Sequence, residues 1–361
     1  MDMGIIDSEV NGMWQVCHDS GELSSAVSSY SITGLEGDTD IEYQLIIRHI
    51  SGSATGTGIS VTFNSDTSAN YGIQRLRGRG TTASANRNTA ESNIGLTYVN
   101  GLGHVSFANC HIFAKSGKER TCITTLAMEI TGTTVNFIDK SAWVWSNTAD
   151  ELTSMTFSTG VASGFGIGTR IILLKKVHND GMKTGEITPN KIEGAWERIY
   201  SNTLTSAATT VDITGLTGDK DVVYRLIVKQ IGIAGTYSTR FRINSDAGSN
   251  YGYQILQGAS STAVAARGAD TRLEVLNTAG ANRVSFFDML LYVKSGYERT
   301  MLIERIRDIN GTTIDRLQVN GHSWSNTADE VTALNILCDT ANGLGIGTSI
   351  ELYKLNLSEG A

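Results

Sequence analysis

The side chains able to do chemistry in this chain come in pairs, and the pairing governs how each is read. Five carboxylates recur at matching places: Asp38 with Asp219, Asp66 with Asp246, Glu119 with Glu298, Asp150 with Asp329 and Glu151 with Glu330. Two carboxylates roughly 5 to 10 Å apart would make the acid and base of a glycosidase. Each of these, however, is placed like a turn residue. Asp38 follows Gly37 between two strand-like runs, and Asp150-Glu151 follows Asn147-Thr148 just before another, where side-chain oxygens satisfy loop N–H groups. The turn account is preferred, and a glycan hydrolase or lyase is retained only as an alternative. Histidine offers no repeated site: His18, His49, His104, His111, His178 and His322 all lack a histidine at the matched position. A repeated triad or imidazole metal centre is therefore not expected, and the chain is read as not an enzyme.

The most suggestive oxygen cluster is Asn64-Ser65-Asp66 followed by Asn70-Tyr71, repeated at Asn244-Ser245-Asp246 and Asn250-Tyr251. Hard oxygen donors on one loop suit Ca²⁺, which makes Asn64, Asp66, Asn244 and Asp246 the candidate metal ligands. One carboxylate per copy is thin for that ion; a hairpin turn rich in Asx residues is preferred, and no cofactor is expected. Gly164 to Gly168 and Gly343 to Gly347 imitate a phosphate loop, but no Lys-Ser/Thr follows either, so both are read as tight turns into a last strand. Trp145 and Trp324 could stack on sugar rings; their identical context makes them core anchors beside a polar turn instead. Cys110 and Cys122 lie symmetrically about Ser116, with Met289 and Met301 in the second copy. That exchange points to apolar packing rather than a functional bridge.

Behind these pairs stands a tandem duplication. Ile32-Thr33-Gly34-Leu35 returns as Ile213-Thr214-Gly215-Leu216, Lys115-Ser116-Gly117 with Glu119-Arg120-Thr121 returns as Lys294-Ser295-Gly296 with Glu298-Arg299-Thr300, and the seven residues from Trp145 return unbroken from Trp324. The offset is 213 − 32 = 181 early and 324 − 145 = 179 late, so only small gaps separate the copies. Each copy is long enough to bury its own core. The expected organisation is an arm over 1–13, a first domain over 14–175, a polar linker over 176–194 holding the single proline, Pro189, and a second domain over 195–361.

Within a copy the apolar period is two. Tyr43, Leu45 and Ile47 alternate with Glu42, Gln44 and Arg48, as Tyr224, Leu226 and Val228 do with Arg225 and Lys229, which reads as half-buried antiparallel strands. Further strand-like runs lie around 59–63, 105–113, 122–130, 134–138, 152–157 and 170–175. Eight or more short strands, abundant Gly and turn residues, and no helical periodicity make the chain all-β, as two tandem antiparallel β-sandwiches; a jelly roll suits the count best, with an immunoglobulin-like sandwich as the alternative.

The net charge of −7, with acidic and basic residues scattered and no basic stripe, argues against a nucleic-acid partner. No segment reaches the ~20 apolar residues that a membrane-spanning helix needs. The opening Met1-Asp2-Met3-Gly4-Ile5-Ile6-Asp7 lacks a basic region and an apolar core, so synthesis in a host cytoplasm without a signal peptide is expected.

The Asn-x-Asp, Asn-Tyr and Gln unit, then Trp-Ser-Asn-Thr, then Gly-Ile-Gly-Thr leading to Ile350-Glu351-Leu352-Tyr353-Lys354 resembles β-sandwich structural proteins in the virions of tailed bacteriophages. The first copy departs from the pattern at Ile171-Ile172-Leu173-Leu174. The resemblance implies a non-enzymatic surface component of a virion, such as a head decoration or vertex protein, a collar or a tail part, with other virion proteins and further copies of itself as partners, a trimer by analogy with jelly rolls in viral particles. Ile172 and Leu174, aligned with Glu351 and Tyr353, are the candidate interface residues by which the first copy would make a buried contact while the second faces solvent. The alternative from the binding class is an adhesin or receptor-binding module for host-surface glycans, with or without Ca²⁺.

Overall fold

A computed structural model describes residues 14–176, 195–259, 262–311 and 314–357. The expected N-terminal arm and all but the first residue of the expected linker, with His178, lie outside the described residues. The first domain comprises β1 (Trp14–Asp19), β2 (Ser29–Thr33), β3 (Glu42–Ile50), β4 (Thr57–Phe63), β5 (Tyr71–Arg79), β6 (Thr82–Glu91), β7 (Ile94–Val99), β8 (Val105–Phe113), β9 (Arg120–Thr131), β10 (Thr134–Trp145), β11 (Ser154–Thr159) and β12 (Arg170–Lys176). The second comprises β13 (Trp196–Thr203), β14 (Thr210–Thr214), β15 (Val223–Ile231), β16 (Thr236–Ile243), β17 (Tyr251–Ala259), β18 (Thr262–Asp270), β19 (Leu273–Ala279), β20 (Val284–Tyr292), β21 (Arg299–Ile309), β22 (Arg316–Trp324), β23 (Ala333–Cys338) and β24 (Ser349–Leu355). Single helical turns, α1 (Gly37–Asp40) and α2 (Gly218–Asp221), precede β3 and β15.

Each domain is a sandwich of unequal sheets. In the first, the large sheet runs β1-β12-β3-β8-β9-β10-β5-β6 and the small one β2-β11-β4-β7, and the second repeats both orders strand for strand. The subset β1-β12-β3-β8 facing β2-β11-β4-β7 has the two interleaved Greek keys of a jelly roll. Two hairpins, β5–β6 and β9–β10, are added beside β8 and widen that sheet to eight strands. Paired strands run antiparallel throughout.

Three apolar clusters hold the molecule together. Two are the sandwich cores, built from inward residues such as Tyr43, Leu45, Ile47 and Trp145 in the first domain and Tyr224, Leu226, Val228 and Trp324 in the second. The third lies between the domains, where the outer faces of the two large sheets meet. Ile46, Phe107, Ile138, Ile172 and Leu174 come from one side, and Val223, Leu290, Tyr292 and Leu302 from the other.

This third layer corrects two expectations. β3 is buried on both faces beyond Glu42 rather than half-buried, because the second domain covers its outer side. Ile172 and Leu174 do point out of their own sandwich, but they are 1% and 0% exposed beneath the second domain of the same chain. They join the two copies to each other and are not available to an outside partner.

Candidate functional site

The paired Asn, Asp and Trp side chains singled out in the sequence gather at one end of each sandwich, where they tie loops together. After β4 the chain turns through two left-handed residues, Asn64 (φ 51°) and Ser65 (φ 56°), matched by Asn244 (φ 52°) and Ser245 (φ 56°). Asn64 Oδ1 accepts from the N–H groups of Thr153 (2.9 Å) and Ser154 (3.1 Å), while its Nδ2 donates to the Glu151 carbonyl (2.6 Å). Asp66 accepts from Trp145 Nε1 (2.8 Å), Asn70 Nδ2 (2.9 Å) and Ser68 N–H (2.8 Å). Asp246 is engaged in the same way by Trp324 Nε1 (2.7 Å), Asn250 (2.8 Å) and Gly248 N–H (2.8 Å).

The proposed calcium ligands are therefore turned toward N–H donors, and a cation would have to displace them all. No cluster of three or more His, Cys, Asp or Glu suited to a metal occurs among the described residues. Neither EDTA nor millimolar Ca²⁺ is expected to move the melting temperature; a calcium-dependent rise would contradict this assignment. Trp145 and Trp324 are 1% and 0% exposed, with their indole N–H groups held from within, so neither can stack on a sugar. The guanidinium of Arg120 lies 5.0 Å from the Trp145 ring and that of Arg299 5.2 Å from Trp324. These arginines donate to the Asn147 and Asn326 carbonyls. Their repetition in Glu-Arg-Thr was the signal for this structural role.

The other paired carboxylates, Glu119 apart, are likewise engaged. Asp38 accepts from Ser116 N–H (2.5 Å) and Oγ (2.7 Å), and Asp219 from Ser295 N–H (2.6 Å) and Oγ (2.8 Å). Asp150 and Asp329 each accept from an Asn amide at 2.7 Å. Glu151 and Glu330 take the N–H of Asp38 and Asp219. His49 is buried, with burial pushing it down to about 4, and its Nε2 lies 3.1 Å from the Gly164 carbonyl. Cys110 and Cys122 are unbonded thiols, 0% and 4% exposed.

Burial pushes the Asp66 carboxyl upward, but the hydrogen bonds from Asn70, Trp145 and Ser68 outweigh it and hold the group at about 2, below its ordinary 3.8. Since the folded-state value is the lower one, the stabilisation is complete above about pH 4 and fades as pH falls toward 2. Asp66→Ala is expected to cost roughly 2 to 3 kcal/mol, because it strands a buried indole N–H and removes the loop anchor. Urea unfolding at pH 7 measures this, and the gap between variant and wild type should narrow at pH 2; a constant gap would argue against the charge being responsible.

The surfaces of the two domains differ at the troughs of their large sheets. On the outer face of the first large sheet, β5, β9 and β10 frame a trough of about 480 Å³ bounded by Gly72, Gln74, Thr121, Ile123, Ala142 and Val144. All six are exposed or half-exposed, Ile123 by 54%. The matched residues of the second domain, Gly252, Gln254, Thr300, Leu302, Gly321 and Ser323, are all buried. Their trough is filled by hairpin tips of the first domain. Gly132, at the β9–β10 tip, donates its N–H to Glu298 (2.8 Å), and its carbonyl accepts from Ser323 Oγ (2.9 Å). Gly80, at the β5–β6 tip, exchanges two hydrogen bonds with the Gln254 side chain (2.9 and 3.0 Å). The side chains of Gln254, Glu298 and Ser323 thus make a built receptor for glycine-bearing hairpin tips.

Comparison with known proteins assigns no family. No family model matches the chain, and no curated protein matches it. Among solved structures it is similar to the LG1-3 region of the laminin alpha2 chain at 7% identity, with 91% of this chain and 64% of that one covered and a TM-score of 0.20. It is similar to domains LG4-5 of the mouse laminin alpha1 chain at 11% identity, covering 95% and 91%, TM-score 0.17. It is also similar to the PBSX exported protein XepA at 8% identity, covering 97% and 88%, TM-score 0.19. At these scores no functional argument passes from those proteins to this one.

A polar cleft of about 270 Å³ between the domains holds the other carboxylates of note. Asp288 is paired with Arg225 (2.5 Å), and Glu304 with Lys140 (2.5 Å) and Thr125 Oγ1 (2.6 Å). Burial acts to raise Glu304, but Lys140 prevails and lowers it, so the cleft contains ion pairs rather than a carboxyl held ready as an acid.

Proposed function

We propose that this chain is a non-enzymatic structural protein of a tailed-bacteriophage particle, a surface component of head, collar or tail that works through protein contacts. The observation that carries this reading is the open trough on the first domain, whose counterpart in the second already holds a protein hairpin. The reading is further supported by the virion-protein resemblance of the turn motifs, and by the engagement of every repeated carboxylate named above except Glu119 in a loop or joint. The partners proposed are other particle proteins and further copies of this chain, with a trimer as the proposed oligomer. The acidic balance of −7 disfavours a nucleic-acid partner.

The deciding experiment is mass spectrometry across a density gradient of particles purified from the producing strain. The chain is expected to co-sediment with the major head protein at constant ratio and to be depleted from the lysate supernatant. Its absence from particles, or its release of sugars from host polysaccharide, would overturn the proposal.

A further inference from the structure

The joint between the two domains is not reciprocated. β10 of the first domain lies over β17, β9 over β22, β8 over β21 and β5 over β18. In the order of the large sheets, β10, β9 and β5 each straddle their own counterpart and that of the next strand along, displaced toward the latter, so the stacking is not symmetric. A two-fold joint would send each domain's hairpin into the other's trough. Displaced in this way, the joint seats the first domain's β9–β10 hairpin in the second domain's trough and omits the return.

The omission leaves a matched pair of unused surfaces. The trough around Gly72, Ile123 and Ala142 is open, as described. At the β9–β10 hairpin, Val135 and Ile138 are fully buried in the joint. Their counterparts beside the β21–β22 tip, Ile314 and Leu317, are 55% and 60% exposed. The tip sequences correspond as well: Ile130-Thr131-Gly132-Thr133-Thr134 and Ile309-Asn310-Gly311-Thr312-Thr313. Glu119, exposed, stands where Glu298 receives the Gly132 N–H.

We propose that the open trough receives the β21–β22 hairpin of a second copy, so that the chain assembles head to tail by repeating its internal joint between molecules. Ile314 and Leu317 cover the apolar floor, and Gly311 N–H donates to Glu119. One bond of the internal joint is missing, because Val144 stands where Ser323 donates. The contact also lacks the covalent link that raises effective concentration within the chain, which makes it reversible. Being heterologous, it closes into a ring, of which a trimer is one case, or runs on as a filament. This deepens the reading of the chain as an assembly module and rests on it; its test uses the purified protein alone, so it can fail while the particle experiment succeeds, and the reverse.

Sedimentation velocity on the full chain, from micromolar to about millimolar, tests it with one variant on each side. Ala142→Arg blocks the trough and Ile314→Arg spoils the hairpin; both positions are exposed, so melting temperatures should be unchanged. If Ala142→Arg fails to fold, Ile123→Glu replaces it. Wild type is expected to associate with rising concentration, and each variant to weaken association by about tenfold or more. Mixing the two variants should restore a one-to-one dimer that grows no further, since one supplies a sound hairpin and the other a sound trough. Wild type that stays monomeric throughout, variants that associate like wild type, or a mixture that forms no dimer would overturn the proposal.

Discussion

Ile172→Glu is expected to destabilise the protein by about 4 kcal/mol or more and to split its unfolding into two transitions. Ile172 is 1% exposed in the layer shared with Val222, Val223, Leu290 and Tyr292, all apolar apart from the tyrosine hydroxyl. A carboxylate there loses its hydration, and the isoleucine's own burial, roughly 2 kcal/mol, is lost with it. Because that layer couples the domains, weakening it should uncouple them. Guanidinium unfolding followed by tryptophan fluorescence and by far-UV circular dichroism would then give two non-coincident curves where wild type gives one. The repeat supplies the control. Glu351 occupies the same place in β24, half-exposed and 3.3 Å from Arg198, so Glu351→Ile should change stability by no more than about 0.5 kcal/mol. Two coincident curves with an unchanged midpoint for Ile172→Glu would show that the domains do not meet through this layer.

Much of the architecture was legible because turn chemistry and a period of two are local signals. The paired Asn-x-Asp turns, the Gly-bearing tight turns and the alternation in β15 all survive in the fold. β6 was not legible as a strand. Thr82 to Glu91 contains no large apolar residue and is exposed along nearly its whole length, so no alternation marks it. The second hairpin of the first domain was found only as its constituent apolar runs, and nothing local says that it widens a jelly-roll sheet.

The surfaces were harder still. An apolar stripe such as Ile172 and Leu174 looks the same whether a neighbouring molecule or a second domain covers it, and only long-range packing tells the two apart. Glu119 and Glu298, Gln74 and Gln254, Gly72 and Gly252 are identical pairs in sequence, yet in the fold one of each faces solvent and the other grips a hairpin. Repetition marks Glu119 and Glu298 as a pair; it does not say which copy's site is filled.

That difference predicts opposite signs for one substitution made twice. Neither Gly72 nor Gly252 has a positive φ, and both lie in extended strand where alanine is at ease. At Gly72 a Cβ would meet only the Val144 side chain at 3.1 Å and the Asn88 carbonyl at 3.7 Å. Gly72→Ala should therefore stabilise by about 0.5 kcal/mol, through the reduced freedom of the unfolded chain. At Gly252 the same Cβ falls inside the Thr133 carbonyl and 2.7 Å from Ser323 Oγ. Relief requires moving the β9–β10 tip as backbone, which breaks the Gly132 hydrogen bonds to Glu298 and Ser323. Gly252→Ala should accordingly cost about 3 kcal/mol, and hydrogen exchange should quicken at Gly132 while remaining slow in the cores of both sandwiches. Equal effects at the two glycines would mean that the second trough does not hold the first domain's hairpin, and the asymmetry from which head-to-tail assembly follows would be gone.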